Sequence, residues 1–306
     1  MWLIVGEVYW NFEKIFWNNY IKIDSLKQIK WFSTEEFNSI IWIVSRGAHF
    51  RYDKYFLEKL PKLKYLCLFQ IWLDNVDLVY CKKRWIIVKN FVSEKSIDAV
   101  AQLTIASLIL WLRYGFSLGC NLKNWIYKRQ PLGYSLENLK IWIVGFWRIW
   151  KKVYEYLKLF SVDIGVYDIM IEKIKKNFKS NSIKWFDSLD KIFKRADVIT
   201  LHIPWGKENN NLIWYDLLKN IKWLINMSRA CIVNEEDIEK VLKENDKFFY
   251  ISDVICGEPN VWDINKELVL ENNIFVYPHI GANTIQVQND IFNKFVNWFK
   301  KENIEI

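Results

Sequence analysis

Glycine is scarce in this chain. Only 10 of its 306 residues are glycine and 5 are proline, where ordinary usage near 7% would place about 20 glycines. Collagen-like and glycine/proline-rich low-complexity architectures are thereby excluded, and no internal repeat is visible along the chain. Histidine is rarer still, with three residues, too few for a histidine-rich metal cluster. The five cysteines (Cys67, Cys81, Cys120, Cys231, Cys256) form no C-x-x-C pair and show no zinc spacing. An odd, scattered set of this kind reads as thiols kept reduced in a cytoplasm, not as a disulfide framework, and no metal site is expected. No apolar run is expected to reach membrane-spanning length. The opening Met1–Val5 is too short, and lacks the basic start, for a signal peptide; it reads as a first strand. No arginine-rich block appears, so nucleic acid is not an expected partner.

Tryptophan, in contrast, is abundant: 18 residues, within 52% hydrophobic and 25% charged composition. That balance describes a globular protein long enough for two domains, each with its own core. The formal net charge of +8 comes almost wholly from lysines, such as Lys151, Lys152, Lys173, Lys175 and Lys176. They are interleaved with acids, as on a solvated surface. Lysine, isoleucine and asparagine are all plentiful, which an AT-rich gene would also produce.

Short apolar runs alternate with helical periodicity. Strands are predicted at 1–5, 40–44, 65–69 and 86–89, with helices at 53–60 and 75–84. A long apolar helix is predicted at 96–113. An irregular polar stretch at 121–138 then precedes a second series. It has strands at 141–144, 163–167, 198–201, 223–226, 249–253 and 274–277, and helices at 148–160, 188–195, 235–244 and 286–301. The β-α-β rhythm predicts parallel sheets covered by helices.

The most informative stretch is 141–168, IWIVGFWRIWKKVYEYLKLFSVDIGVYD. With glycine at Trp147 and Trp150 it would read G-F-G-R-I-G after a strand, with Asp168 closing the next strand about 20 residues on. That is the dinucleotide-binding fingerprint. Other segments carry recognisable order and spacing: LEKLPKLKYL (57–66), LDNVDLVYCKKR (73–84), ADVITLHIP (196–204), LINMSRACIVNEED (224–237), SDVICGEPN (252–260) and YPHIGANT (277–284). Together they resemble the D-isomer-specific 2-hydroxyacid dehydrogenases.

The resemblance implies an α/β protein of two doubly wound parallel-sheet domains with a cleft between them. Residues 1–93 plus 282–306 would form the substrate domain and 94–281 the NAD-binding Rossmann domain. It implies an NAD-dependent interconversion of a D-2-hydroxy acid and its 2-keto acid, of the phosphoglycerate, glycerate and hydroxypyruvate class. His279 would be the acid/base, a task suited to imidazole because it titrates near neutrality. Glu258 would pair with it, and Arg229 would clamp the substrate carboxylate and C2 oxygen through a planar guanidinium. Asp168 would accept the adenosine ribose hydroxyls and favour NAD over NADP. Gly145, Trp147, Arg148, Ile149, Trp150, His202, Pro204, Asp253 and Gly281 would border the cofactor. Loops at Arg46, Gly47, Gln70, Ile71 and Trp72 would hold the substrate. Family members commonly dimerise, so a homodimer is expected.

Six tryptophans (Trp72, Trp85, Trp142, Trp147, Trp150 and Trp214) stand where the family pattern has glycine. An indole at 147 would occupy the pyrophosphate position, and one at 150 would push the helix from the sheet. The glycine shortage and tryptophan excess have opposite sign and similar size. One reading covers both: a gene whose UGA codons mean glycine, read here as tryptophan. Two alternatives remain at this point. The chain could be an NAD-sensing scaffold like the C-terminal-binding-protein corepressors, which resemble this family. If the tryptophans are real, it could be an inactive relative.

Overall fold

The structure is a computed structural model describing residues 1–6, 20–23, 26–46, 50–70, 73, 75–145, 148–178, 180, 182–258 and 260–302. It divides into two compact units, Met1–Lys95 with Ile285–Ile306, and Ser96–Thr284.

In the first unit, β1 (Trp2–Val5), β2 (Tyr20–Ile23), β3 (Trp42–Ser45), β4 (Tyr65–Leu68) and β5 (Ile87–Asn90) form one parallel sheet in the order β2-β1-β3-β4-β5. β1, β3 and β4 are almost wholly apolar because both faces are covered. One face is packed by Leu3, Ile43, Leu57, Leu60 and Leu66. On the other, parallel register puts Trp2 beside Trp42 and Trp42 beside Tyr65. Their rings stack at 4.2 Å and 3.7 Å. The helix Ile285–Lys301 covers this stack through Phe299, edge-on to Trp2 at 5.5 Å and to Trp42 at 5.6 Å. Its period of about 3.6 residues places Val287, Ile291, Phe295 and Phe299 on one buried stripe.

The second unit holds β6 (Lys140–Val144), β7 (Asp163–Tyr167), β8 (Ile183–Phe186), β9 (Val198–Leu201), β10 (Trp223–Asn226), β11 (Phe249–Ser252) and β12 (Ile274–Val276). All run parallel, in the order β12-β11-β10-β9-β6-β7-β8. The first strand, β6, lies between β7 and β9, so the winding reverses direction at its carboxyl end. That reversal is where doubly wound sheets bind ligands. Both expected doubly wound parallel sheets are present.

Several elements differ from expectation. The strands β2 and β8 and the helices Thr34–Ser39, Ile171–Asn177, Tyr215–Leu218 and Lys266–Leu270 were not predicted. All are short, with four to seven residues each, too few for periodicity to register. The stretch read as irregular from 121 begins inside a helix, Gly115–Lys123. The long helix Lys95–Leu112, mean hydropathy 1.3, is long and apolar enough by composition alone to cross a bilayer, contrary to expectation. Ala101, Leu108, Trp111 and Leu112 instead pack into the core of this unit. Many lysines pair locally with acids three or four residues away, including Lys152–Glu155, Lys175–Glu172 and Lys219–Asp216. Such exposed pairs are screened by solvent and contribute little to stability.

Two helices end in the same way. After Leu78–Lys83, the Trp85 N–H donates to Lys82 O at 3.2 Å and the Ile86 N–H to Cys81 O at 2.9 Å. After Gly115–Lys123, the Trp125 N–H donates to Leu122 O at 3.0 Å and the Ile126 N–H to Asn121 O at 2.9 Å. Both are Schellman caps, whose first residue past the cap is left-handed and usually glycine. Here it is tryptophan, with φ 59° at Trp85 and 60° at Trp125. Left-handed backbone costs a residue with a Cβ about 1–2 kcal/mol, and the two indoles, 89% and 96% exposed, recover little by packing. W85G and W125G should each stabilise the protein by about 1 kcal/mol, read as a higher urea midpoint at unchanged slope. A lower midpoint for both would contradict the cap assignment.

Candidate active site

The carboxyl ends of adjacent strands gather the predicted residues of the second unit. β10 ends at Asn226, β11 at Ser252 and β12 at Val276, paired in register Asn226–Ser252 and Ser252–Val276. The turns that follow carry Arg229, then Asp253 and Glu258, then His279 and Gly281.

Asp253 is the anchor. It is buried, and its two carboxylate oxygens accept the N–H of Ile280 at 2.7 Å and of Gly281 at 2.8 Å. A Cβ at Gly281 would come within 2.6 Å of Asp253 Oδ2, so only glycine allows the approach. Burial pushes the Asp253 carboxyl up from its ordinary value, opposed by the positive character of His279 and the two N–H bonds. The clamp sits beside His279, whose φ is 54°. The ring Nδ1 of His279 lies 2.9 Å from Glu258 Oε1. Paired with a carboxylate, Nδ1 carries the proton, which leaves Nε2 to exchange one with a ligand. Both side chains keep partial exposure, 33% for His279 and 20% for Glu258, so a ligand can reach the pair.

Arg229 follows β10 in the turn N-M-S-R, and its Nη1 donates to Ser228 O at 2.8 Å. Asn226 shapes that turn. Its Oδ1 accepts the Ser228 N–H at 3.1 Å and hydroxyl at 2.6 Å, and its Nδ2 donates to Arg229 O at 3.0 Å. Asn226 was not among the predicted residues, although asparagine two residues before serine-arginine at a strand end is an Asx-turn signal.

The residues around the winding reversal are also in place. Gly145, at φ 95°, follows β6, and its N–H donates to Tyr167 O at 2.9 Å. A Cβ there would meet His202 O at 2.6 Å, so this first fingerprint glycine is required by close approach. Asp168 follows β7, and its Oδ1 accepts the Met170 N–H at 2.7 Å. Arg148 and Ile149 begin the helix Arg148–Leu157, exposed and half-buried respectively. Trp147 lies outside the described residues. Trp150, expected to force helix and sheet apart, is 3% exposed. Its ring is taken into the core against Phe178 at 5.2 Å and Tyr154 at 6.1 Å. A glycine turn and a strand-end acid thus fit a dinucleotide on the sheet side of the site.

His202 follows β9 but is buried, its Nε2 3.0 Å from Thr200 Oγ1 and its Nδ1 without a partner among the described residues. Desolvation holds its pKa down at about 3. Pro204 is exposed, and its carbonyl accepts Asn209 Nδ2 at 3.0 Å.

In the first unit, Arg46 follows β3 and Gln70 closely follows β4. Gly47, Ile71 and Trp72 lie outside the described residues. Asn75, absent from the predicted set, joins these two loops. Its Oδ1 accepts Gln70 Nε2 at 2.7 Å and its Nδ2 donates to Phe50 O at 2.6 Å. Contacts spanning 25 residues leave no local sequence signal. Among the described residues no group of three or more His, Cys, Asp or Glu could hold a metal.

A doubly wound parallel sheet with a glycine turn at its reversal and an Arg, Glu and His set on neighbouring strand ends defines a dinucleotide-dependent oxidoreductase. Residues 117–281 match the sequence model of the D-isomer specific 2-hydroxyacid dehydrogenase NAD binding domain. The chain is 31% identical over 244 residues to the glyoxylate reductase of Thermococcus litoralis, covering 76% of this chain and 71% of that protein. It is 28% identical to the D-3-phosphoglycerate dehydrogenase of Methanocaldococcus jannaschii, covering 76% of this chain and 44% of that one. The D-lactate dehydrogenase of Aquifex aeolicus, solved with NAD and lactic acid, shares the fold at a TM-score of 0.80 and 22% identity, over 98% of this chain and 94% of that chain. The chain belongs to the D-isomer specific 2-hydroxyacid dehydrogenase family, which carries out NAD-dependent oxidoreduction of 2-hydroxy acids.

The neutral His202 predicts a pH dependence. Folded, its ring stays unprotonated down to about pH 3, whereas the unfolded ring takes its proton at 6.5. Falling pH therefore favours unfolding across that window, by up to about 1.4 kcal/mol per pH unit from this residue. In urea titrations at stepped pH, H202N should flatten the slope between 6.5 and 3; equal slopes in both proteins would refute the assignment.

Proposed function

We propose that the protein interconverts a small D-2-hydroxy acid and its 2-keto acid, of the glycerate, hydroxypyruvate and phosphoglycerate class, with His279, Glu258 and Arg229 as its working groups. The observation that carries this reading is the 2.9 Å His279–Glu258 pair on strand ends next to the turn bearing Arg229. NAD, when bound, gives or takes the hydride at the substrate's C2. His279 moves the accompanying proton at Nε2, because Nδ1 is engaged by Glu258. Glu258 fixes the ring's tautomer. Arg229 binds the carboxylate and draws charge toward the C2 oxygen, which lowers the barrier to a negatively charged oxygen. Asp253 holds the His279 turn, and Gly145, Asp168, Gly281 and the helix beginning at Arg148 border the cofactor. His202 and Pro204 belong to the wall behind that border. Arg46 and Gln70, each after the carboxyl end of a strand in the first unit, are assigned to the substrate.

A homodimer fits the exposure of Leu122, Trp125, Ile126, Tyr127 and Leu132 in one stretch of the second unit. Five free cysteines fit a reducing, cytoplasmic setting. Interleaved lysines and acids supply no basic tract for nucleic acid or membrane lipid.

The test is NADH-linked reduction of glyoxylate, hydroxypyruvate and pyruvate, run with the printed chain and with a W147G/W150G form. H279Q should lower kcat by about 10²–10⁴-fold while leaving NADH affinity intact. R229K should chiefly raise the keto-acid KM, since a point charge replaces a two-point clamp. Full activity of H279Q, or inactivity of both parent forms across the panel, would refute the reading.

A further inference from the structure

The two helix caps bear on which amino acid the native protein carries. Among the described residues, six that are not glycine have positive φ: Trp85, Tyr114, Trp125, Asn138, Asn211 and His279. Asparagine tolerates that region through its short polar side chain, and His279 is held there beside the Asp253 clamp. Tyr114, after the helix Lys95–Leu112, and the two tryptophans have no such accommodation, but only the tryptophans belong to a residue type in excess, and twice one fills the position of a Schellman cap that selects glycine. Trp125 carries particular weight. It is not one of the six positions where the family pattern has glycine, so its backbone is a witness independent of that pattern.

The core supplies a third witness. Trp142 lies in β6 directly beside Gly165 of β7. Its ring fills the space over Gly165, where a Cβ would come within 2.7 Å of the indole. The indole Nε1 is buried and has no hydrogen-bond partner among the described residues, an arrangement a buried indole rarely adopts. A fourth position answers differently. Trp214 has φ −125°, extended backbone open to any residue, so geometry there is silent.

We infer that glycine stands at positions 85, 125, 142, 147 and 150 of the protein as its own cells make it, because the codon behind these residues is read there as glycine. The inference joins the two caps, the orphaned indole and the composition, where 18 tryptophans face 10 glycines. Its consequence is functional. The loop after β6 becomes G-F-G-R-I-G, with bare backbone to meet a pyrophosphate at the helix N-terminus. Only that consequence rests on the proposed cofactor site. The identities at 85 and 125 rest on backbone geometry, that at 142 on its orphaned indole, and those at 147 and 150 on the fingerprint spacing and the composition.

Peptide mapping by mass spectrometry, on protein isolated from its source organism, reads the identities directly. Peptides covering 85 and 125 should each carry the glycine mass; intact tryptophan at either position overturns the inference. Two recombinant forms then separate this inference from the functional one. A W85G/W125G form leaves buried packing untouched and should resist urea better than the printed chain. A form with glycine at all five positions should bind NADH at least 10-fold more tightly than the printed chain, by fluorescence titration. Glycine at 85 and 125 without NADH binding by the five-site form would sink the cofactor reading and leave the residue assignment standing. Tryptophan at these sites together with NADH binding by the printed chain would do the reverse.

Discussion

The site depends on one buried carboxylate. Asp253 follows β11 and accepts two N–H groups of the turn that follows β12. Without it, the buried Gly281 donor would be left unpaired, at about 1–3 kcal/mol, and the half-buried Ile280 donor would lose its partner too. More consequentially, the turn bearing His279 would lose its tie to the neighbouring strand. The arrangement has a cost of its own, because desolvation works against the ionised form of Asp253. Two N–H bonds and the nearby imidazole offset that cost. Gly281 is part of the same constraint, since any side chain there would strike the carboxylate.

Parallel register turns that local clamp into a site. β9, β10, β11 and β12 pair in sequence order, so their carboxyl ends lie along one edge of the sheet. The turns bearing Arg229 and His279, 50 residues apart in the chain, thus leave the same edge of the sheet, on either side of the one bearing Asp253. Asn226 performs for the Arg229 turn what Asp253 performs for His279, using a neutral amide where Asp253 uses a charge. At the other side of the reversal, Gly145 passes close over the His202 carbonyl. His202 itself is buried, and desolvation keeps its ring neutral.

The tryptophans show where a fold can absorb a large side chain and where it cannot. Trp2, Trp42 and Trp150 find aromatic partners in cores with room for them. Surface caps offer no such remedy, because the constraint at Trp85 and Trp125 lies in the backbone dihedral. No repacking relieves a left-handed φ.

Apolar runs of four or five residues sufficed to locate ten of the twelve described strands, because buried parallel strands are nearly continuous in hydrophobicity. β2 and β8 escaped because they carry polar residues on an exposed side, and the short helices because one turn or two has no period to detect. The motifs made Arg229, Glu258, His279, Gly145 and Asp168 legible as residue types at family spacing. Asn75 and Asn226 were not legible in that way. Their importance lies in which distant atoms they join. The sequence by itself determined the order of elements, the identity of the polar groups and the imbalance between glycine and tryptophan. Tertiary structure alone decided that Asp253 is a clamp, that His202 is a buried neutral ring, and that Trp85 and Trp125 sit on left-handed backbone. Hydrogen-bond partners, burial and dihedral angles are set by register and packing across the chain, and none of these is written in a local run of residues.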